Sequence, residues 1–431
     1  MSSSSPEHCT ATTKLSVSIP TVAFLLLVWI LVPPLRTPAA IPDIYLGFAA
    51  ILAIAGVWTL RVAVAGGGMA YTSPVVYWIL AFAACIGMSL LAAAIAGRAV
   101  SARDITELVR PFLYLGILVV AMNAKLSASS LQRLYRLLLG FLVVSALFGL
   151  AQYFNIADVN QTVSPVYAPT QMLGLLRNRR ITGTTGNPNE FGALMVLASC
   201  LALSWGLFAR RLRQRALSGL LLVLFTLAML LTSSRAALIV WAVSIGLILL
   251  VLYPRWRGAG RALPAVLLIV GVAVAMGFLL PDELFARASS LRDLAQDSSW
   301  QVRLLKWREA VDSWRFSPLL GWGPAERTMV STVDNEWILV LRRYGLIGLI
   351  GFTGMGLSLF ASVWTRPPRK REHHPQLALS VALQAALIGY AVYMIPSSVY
   401  HSLQLMPILL LLVGLCASQR RSGATCRDTL A

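Results

Sequence analysis

The chain has few charged residues: Asp, Glu, Lys and Arg make up 12% of its 431 residues. Soluble domains carry about 25% charged residues, so the composition argues against a soluble protein. Apolar residues reach 58%, which indicates a polytopic membrane protein. The 36 basic residues outnumber the 17 acidic ones, and in such a protein this excess is typical of positive charges that flank membrane spans. We therefore expect no nucleic-acid partner.

Motifs for metals, disulfides and nucleotides are also missing. Of the five cysteines, Cys85, Cys200 and Cys416 fall inside apolar stretches, and none has metal-ligand spacing. The sequence has no Cys/His zinc pattern, no glycine loop of the nucleotide-binding type and no paired acidic metal signature. These absences argue against an ATP-driven pump, and we expect no metal and no cofactor.

Long apolar windows dominate what is present. Windows of about 17–25 residues mark membrane helices, and residues 37–40, which loosely resemble a cleavage site, are outweighed as a signal-peptide cue by the many spans that follow. The predicted fold class is therefore all-α, a polytopic membrane protein of about 12 transmembrane helices with a large, partly helical periplasmic loop between spans 9 and 10. The predicted spans are 17–35, 43–65, 74–97, 105–122, 131–154, 189–209, 216–232, 235–253, 263–280, 336–364, 376–396 and 403–418.

Basic clusters predict the orientation of these spans. Clusters follow spans six, eight, ten and twelve, which is one side of the membrane if the spans alternate. The positive-inside rule makes that side, and both termini, cytoplasmic. The resulting division is a cytoplasmic tail at 1–16, spans 1–5 at 17–154, a periplasmic segment at 155–188, spans 6–9 at 189–280, a large periplasmic loop at 281–335, spans 10–12 at 336–418 and a cytoplasmic tail at 419–431.

The loop at 281–335 contains a predicted amphipathic helix. Apolar residues recur in it at helical spacing among charged ones, which is typical of a helix on a membrane surface or over a cavity. A turn rich in glycine and proline at 317–324 then ends this helix. The apolar positions are Leu304, Trp307, Ala310, Val311 and Trp314.

The polar segment at 180–189 is the most unusual part of the chain. It joins Arg180 to two glycines and an Asn-Pro-Asn turn that ends at Asn189. These groups need polar partners, so the segment does not fit a helix that faces lipid. A polar entry into a helix start is instead a suitable place to hold an anion.

Arginines on the outer side suggest a diphosphate as that anion. A guanidinium binds phosphate oxygens in a bidentate manner and keeps its charge at any working pH. The candidates are Arg177, Arg179, Arg180 and Arg235. The alternative is that an arginine anchors the chain at the membrane interface or pairs with an acid, and this alternative is strongest for Arg342 and Arg343.

Two residues are candidates for a general base. Asp334 lies directly before an apolar span, where burial raises the pKa of a carboxylate and arginines lower it, and such a group can accept a proton from an attacking hydroxyl. The competing interpretation is that Asp334 caps the following helix, alone or with Asn335. Among the four histidines, only His401 falls on the outer side, so His401 is the alternative base.

These stretches together resemble the O-antigen ligase and polysaccharide polymerase superfamily of integral membrane glycosyltransferases. The segment from Arg180 to Asn189, the Ser234-Arg235 helix start, the turn at 317–324 and Asp334-Asn335-Glu336-Trp337 carry the resemblance, which covers about residues 130–365.

The resemblance implies a transferase at the periplasmic face of the bacterial inner membrane, with a glycan on a polyprenyl diphosphate as donor. Arg180 and Arg235 match the family's diphosphate-binding arginines, and Asn189, Arg303, Trp322 and Asn335 take supporting positions. Ligases of this superfamily commonly have a histidine directly before the Asn that corresponds to Asn335, and it serves there as the proposed base. This chain has Asp334 at that position. Asp-Asn at this place is more similar to exopolysaccharide repeat-unit polymerases.

The resulting hypothesis is a metal-independent polymerase of lipid-linked oligosaccharide repeat units. Its partners are that lipid-linked substrate and membrane lipid, with a chain-length regulator and export proteins as candidates. A ligase that moves glycan to lipid A core or to protein shares the chemistry and is the first alternative. A transporter of lipid-linked glycans also suits twelve spans and is the second, while a purely structural membrane scaffold leaves the segment at 180–189 unexplained.

Overall fold

The computed structural model describes residues 18–33, 46–64, 73–124, 126–252, 298–324, 333–364 and 375–428. Within these ranges the regular structure is helical, with fifteen α-helices and no β-strand. The helices are α1 (Ile19–Leu31), α2 (Leu46–Val64), α3 (Pro74–Ile95), α4 (Ala102–Met122), α5 (Ala128–Phe154), α6 (Val159–Thr162), α7 (Ser164–Tyr167), α8 (Met172–Asn178), α9 (Pro188–Phe208), α10 (Leu212–Leu231), α11 (Arg235–Leu247), α12 (Ser298–Trp314), α13 (Glu336–Val363), α14 (Pro375–Tyr393) and α15 (Leu405–Asp428).

The predicted fold class, an all-α polytopic membrane protein, is confirmed. Among the described residues, seven helices are long and apolar enough to cross a membrane, and four shorter apolar helices accompany them. The seven are α3, α4, α5, α9, α10, α13 and α14, and the four are α1, α2, α11 and α15. The predicted span at 263–280 lies outside the described residues, so a total of twelve stays a prediction.

Local sequence determines where these helices begin. Pro74 and Pro188 occupy first helical positions, where a missing N–H costs nothing. Asn187 and Ser234 are N-caps whose side chains accept hydrogen bonds from the first turns of α9 and α11. The link between α10 and α11 is very short because Ser233 takes a left-handed conformation with φ 53°.

Helix α9 is the centre of the bundle. Of its most apolar window, 89% is buried, and it packs against α10, α11 and α14. The helix runs from Pro188 to Phe208, about 30 Å at 1.5 Å per residue. The residues near Pro188 therefore lie at the opposite end of the bundle from the basic segment at 210–215, which agrees with the sides that the sequence assigns to them.

Helix α13 is interrupted at Gly345, which has φ 66° and ψ −166°. The main chain of residues 318–323 docks into this break. The amide of Trp322 donates to the carbonyl of Arg342 at 2.7 Å, and the amide of Leu346 donates to the carbonyl of Pro318 at 2.9 Å. The turn predicted at 317–324 is therefore held by hydrogen bonds to a membrane helix and is not a free linker.

Two glycines make this docking possible. A Cβ atom at Gly345 would lie 2.1 Å from the carbonyl oxygen of Leu319, and one at Gly321 would lie 2.4 Å from that of Arg343. Both glycines have positive φ, which glycine adopts at little steric cost.

Candidate functional site

The candidate site lies at the end of the bundle where α4, α9, α11, α13 and α15 begin and where residues 394–404 join α14 to α15. We call it the site end. Helix α12, at the position where the amphipathic pattern predicts a helix, also belongs to it, because Ala310 packs in a small cluster with Val333 and Leu339.

The Gly-Thr turn of the segment at 180–189 is buried in this end. The side-chain oxygen of Gln152, near the end of α5, accepts hydrogen bonds from the amides of Thr182 at 3.1 Å and Gly183 at 2.8 Å. The hydroxyls of Ser145 and Thr184 are 2.6 Å apart. The amides of Thr182 and Gly183 therefore have protein partners, and the turn serves to position Arg180 and Asn189 at its two ends.

Close packing fixes this turn. Gly183 has φ 51°, and a Cβ atom there would lie 2.2 Å from the ring of Phe191. Gly186 has φ 74°, and its Cβ atom would lie 2.3 Å from the carbonyl oxygen of Tyr167. Any larger residue at either position would have to displace its neighbour.

Arg180 joins two helix ends. Its Nε atom donates to the carbonyl of Thr232, at the end of α10, at 2.8 Å, and its Nη2 atom donates to Oδ1 of Asn189, in the first turn of α9, at 2.8 Å. Arg180 is only partly buried. It is thus oriented by its neighbours and remains partly accessible.

The other candidate arginines differ in their surroundings. Arg235 is the first residue of α11 and is partly buried. Arg180 bonds the carbonyl of Thr232, which is three residues before Arg235. Both arginines therefore lie at the turn between α10 and α11. Arg177 and Arg179 lie at the end of α8 and are exposed, and the described contacts do not bring them to Arg180 or Asn189.

Asp334 lies beside Arg303 of α12. The Nε atom of Arg303 is 3.6 Å from a carboxylate oxygen of Asp334, and Nη1 of Arg303 donates to the carbonyl of Pro396 at 3.2 Å. The side chain of Asp334 remains 45% exposed, so a substrate can reach it. The N-cap of α13 is Asn335, whose side chain accepts from the amide of Ile338 at 3.0 Å.

His401 lies in a buried cluster of charged residues. Its Nδ1 atom is 2.6 Å from a carboxylate oxygen of Glu336, and its Nε2 atom is 3.1 Å from one of Glu107. Nη1 of Arg343 lies 3.3 Å from the same Nε2 atom and 3.7 Å from Glu107. Arg110 contacts Glu107 at 3.2 Å. This charge cluster joins α4, α13 and the loop before α15.

The two carboxylates favour a charged His401. Burial alone would lower the pKa of the imidazole, but the adjacent Glu336 and Glu107 outweigh burial and raise the pKa of His401 above its usual value. The hydroxyl of Ser398 also donates to Glu336, and the amide of Glu336 donates to the carbonyl of Met394 at 2.8 Å. The start of α13 is therefore fixed to residues 394–401 by several contacts.

Trp322 is held at the edge of the site end. The guanidinium of Arg98, just after α3, lies 3.8 Å from the centre of its indole ring, and Nη1 of Arg98 donates to the carbonyl of Trp322 at 2.7 Å. Trp322 thus has a defined place between α3 and the break in α13, and it has no described contact with Asp334 or Arg180.

An apolar cleft of about 300 Å³ opens beside this site, between α13, α14 and the start of α15. Trp337 and Tyr400, the sequence neighbours of Glu336 and His401, line part of this cleft. The remainder is lined mainly by apolar side chains of the membrane helices. A cleft of this kind accommodates a hydrocarbon chain better than a sugar.

A comparison with known proteins relates part of this chain to one family. The family model described as O-antigen ligase matches residues 220–353. The resemblance inferred from the sequence is confirmed, and the protein is a multi-pass membrane protein with the features of a ligase- or polymerase-type glycosyltransferase. No curated protein matches the chain.

The residues that match this family model contribute only part of the site end. The other part comes from α4, from the segment at 180–189 and from the loop before α15, which lie outside the matched residues. Arg235, Arg303, Trp322, Asp334 and Asn335 lie inside the match, and Arg177, Arg179, Arg180, Asn189 and His401 lie outside it.

The partners of His401 are the main residues that sequence reasoning missed. Ionisable residues inside an apolar window are costly and point to a polar site, so Glu107 and Arg110 carried a usable signal. Glu336 and Arg343 are seven residues apart, which places them on one face of a helix. Among the described residues, no group of three or more His, Cys, Asp or Glu side chains is arranged to hold a metal ion.

Proposed function

We propose that this protein polymerises polyprenyl-diphosphate-linked oligosaccharide repeat units into a surface polysaccharide or exopolysaccharide, at the periplasmic face of the bacterial inner membrane. The observation that supports the proposal is that an accessible carboxylate, Asp334, lies at the same end of the bundle as Arg180 and Arg235, in a chain whose residues 220–353 match the O-antigen ligase family model. A donor with a diphosphate and an acceptor with a hydroxyl need these two kinds of group.

Arg180 and Arg235 are the proposed diphosphate ligands. Contacts to Thr232 and Asn189 hold the Arg180 fork in place, and a fork held in this way binds phosphate oxygens without first losing side-chain freedom. Arg177 and Arg179 are proposed as outer, weaker contacts. The apolar cleft beside Tyr400 is suited to the isoprenoid part of the donor.

Asp334 is the proposed base. It takes the proton of an acceptor hydroxyl, whose oxygen forms a bond to the anomeric carbon while the bond from that carbon to the diphosphate breaks. A single displacement of this kind inverts the anomeric centre. The arginines stabilise the negative charge that builds on the leaving diphosphate, and Asn189, Asn335, Arg303 and Trp322 support the geometry.

His401 is less suited to be the base. Carboxylates face both of its ring nitrogens, so the charged form, which has no lone pair to accept a proton, is favoured. Its side chain is 17% exposed, against 45% for Asp334. These observations favour Asp334 over His401.

The second candidate function is a ligase that transfers the glycan to lipid A core or to a protein. The matched family favours it, since that family is described as O-antigen ligase. Donor, arginines and base would be the same and only the acceptor would differ. A transporter of lipid-linked glycans is less well supported, because the candidate residues gather at one end of the bundle and not at the middle of the membrane.

An assay in which the lipid-linked oligosaccharide is the only substrate distinguishes these three functions. The purified protein in liposomes receives its lipid-linked oligosaccharide and no other acceptor, and the products are separated by size. A ladder of lipid-linked multimers supports the polymerase. Transfer only after lipid A core or a protein is added supports the ligase, and movement of lipid across the bilayer without any new glycosidic bond contradicts both.

A further inference from the structure

Besides the apolar cleft, a polar cleft lies at the end of the bundle opposite to the site end. The proposed transfer reaction does not use this polar cleft. Its volume is about 440 Å³, within the range of about 300–1,000 Å³ that ligand pockets occupy. It is bounded by the start of α5, the link between α9 and α10, and the first turn of α14.

The polar walls of this cleft are basic. Arg136 of α5 lines the cleft together with Arg210 and Arg211 of the α9–α10 link. Gln132 and Gln214 also line it. Among the described residues that line the cleft, none is acidic. Three arginines from two parts of the chain therefore line one space, and no carboxylate is found among the described residues that line it.

The remaining wall of the cleft is apolar and lies at the end of α9, one of the helices that are long and apolar enough to cross a membrane. Trp205 and Phe208 belong to the last turn of α9, and tryptophan at such a position is typical of the interface between hydrocarbon and headgroups. The cleft thus combines a cationic rim with an apolar side, as a molecule with a phosphate and acyl chains requires.

We propose that this cleft binds the headgroup of an anionic phospholipid, with the lipid phosphate between Arg136 and Arg211 and the acyl chains along Trp205. Arginine forks form bidentate hydrogen bonds with phosphate oxygens. A zwitterionic phospholipid carries a phosphate as well, but its ammonium group has no acidic partner among the lining residues. The site therefore selects lipids with net negative charge.

The chain offers a closely matched control. Arg133 and Arg213 are exposed arginines on α5 and at the start of α10, and neither lines the cleft. The test variant is Arg136→Gln with Arg211→Gln, and the control variant is Arg133→Gln with Arg213→Gln. Both variants remove two positive charges, one from α5 and one from the start of α10 or its N-cap, and only the test variant changes residues that line the cleft.

The experiment uses full-length protein in phosphatidylcholine nanodiscs, with phosphatidylglycerol added in steps. Retained lipid is counted by native mass spectrometry, and thermal stability is followed by tryptophan fluorescence. Phosphatidylglycerol should bind the wild type and the control variant equally well. The affinity of the test variant should fall by about tenfold or more, since a lost charge-assisted hydrogen bond is worth at least one decade in affinity.

Three results would overturn the proposal. Equal losses in the two double variants would show diffuse surface charge, competition by inorganic phosphate would show a site for a soluble anion, and no effect of phosphatidylglycerol on the wild type would show no site. If the test variant is less stable in phosphatidylcholine alone, the single change Arg210→Gln replaces it and should weaken binding in the same direction.

Discussion

The Nδ1 atom of His401 lies 2.6 Å from a carboxylate oxygen of Glu336, and this contact joins the loop before α15 to the first residue of α13. Asp334 is two residues before Glu336 and directly precedes the N-cap Asn335. A substitution that removes this contact, such as His401→Ala, is therefore expected to loosen the chain at Asp334 although the two side chains do not touch. The proposed base is held from one side by Arg303 and from the other by this charge cluster.

Replacement of Asp334 by Asn should abolish chain growth. The amide has nearly the same shape but cannot accept the hydroxyl proton, and general bases contribute about 100-fold to 10,000-fold to rate. The rate of ladder formation in liposomes measures the effect. The control is Asp312→Asn, an exposed acid of α12 paired with Arg315 at 3.2 Å, which should leave the rate unchanged. Full activity of the Asp334→Asn variant would remove Asp334 from the base assignment.

Replacement of His401 by Gln should reduce turnover by less than about tenfold, well below the effect expected for a general base. Glutamine keeps a hydrogen bond to Glu336 but not the charge, so the start of α13 should remain near its place. The readout is kcat and KM in the same ladder assay, beside the Asp334→Asn variant. A loss equal to that of Asp334→Asn would instead identify His401 as the base.

The stability of the protein should depend on pH through His401. Its pKa is raised in the folded state because the carboxylates of Glu336 and Glu107 outweigh burial, while Arg110 and Arg343 face the same cluster. The stabilisation is therefore complete below the usual imidazole pKa of about 6.5 and is lost as pH rises through the raised value.

Thermal midpoints in detergent test this dependence. The midpoint of the wild type should exceed that of the His401→Gln variant by most at pH values below about 6.5, and the difference should shrink as pH rises. All other titrating groups are common to the two proteins, so the difference isolates His401. A constant difference over the whole pH range would show that the pKa of His401 is not shifted by folding, and a difference that grows as pH rises would show that folding lowers it.

Arg180→Lys should weaken donor use although it keeps the charge. Lysine is a point charge and cannot bond Thr232 and Asn189 while it also offers a planar fork to phosphate. We expect KM for the lipid-linked donor to rise by about tenfold, since each lost charge-assisted bond costs about one decade in affinity. Arg213→Lys, at the opposite end of the bundle, serves as control and should not change KM. An unchanged KM in the Arg180→Lys variant would contradict the diphosphate assignment.

Gly345→Ala should destabilise the protein strongly. The added Cβ atom would lie 2.1 Å from the carbonyl oxygen of Leu319, and the backbone conformation alone costs a non-glycine residue about 1–3 kcal/mol. Gly356→Ala on the same helix is the matched control, because nothing lies within 4 Å of its Cβ position. Thermal midpoint and folded yield should fall for Gly345→Ala only; equal behaviour of both variants would argue against the docked arrangement of residues 318–323.

The helical fold could be predicted from the sequence because membrane helices need long apolar windows and proteins of this composition have few alternatives. The sequence also predicted which polar segments share one end of the bundle, because successive membrane spans alternate in direction. The ligase-type segments were also recognisable, since Arg180, Arg235 and Asp334 lie at helix boundaries where polar residues are uncommon.

The charge cluster could not be predicted in the same way. Glu107 and His401 are 294 residues apart, and no local pattern indicates which loop meets which helix. The break at Gly345 was equally hidden, because Gly345 falls inside the predicted span at 336–364 and an isolated glycine does not by itself mark a break in a helix. In both cases tertiary contacts, and not local propensity, determine the arrangement.

The docking of residues 318–323 into α13 bears on how such proteins can diverge. The joining hydrogen bonds run between main-chain atoms, so they constrain the two glycines but not the neighbouring side chains. Leu319, which is 60% exposed, can be exchanged while the backbone stays in register. A surface built in this way can change its exposed side chains while the membrane helix that anchors its main chain stays the same.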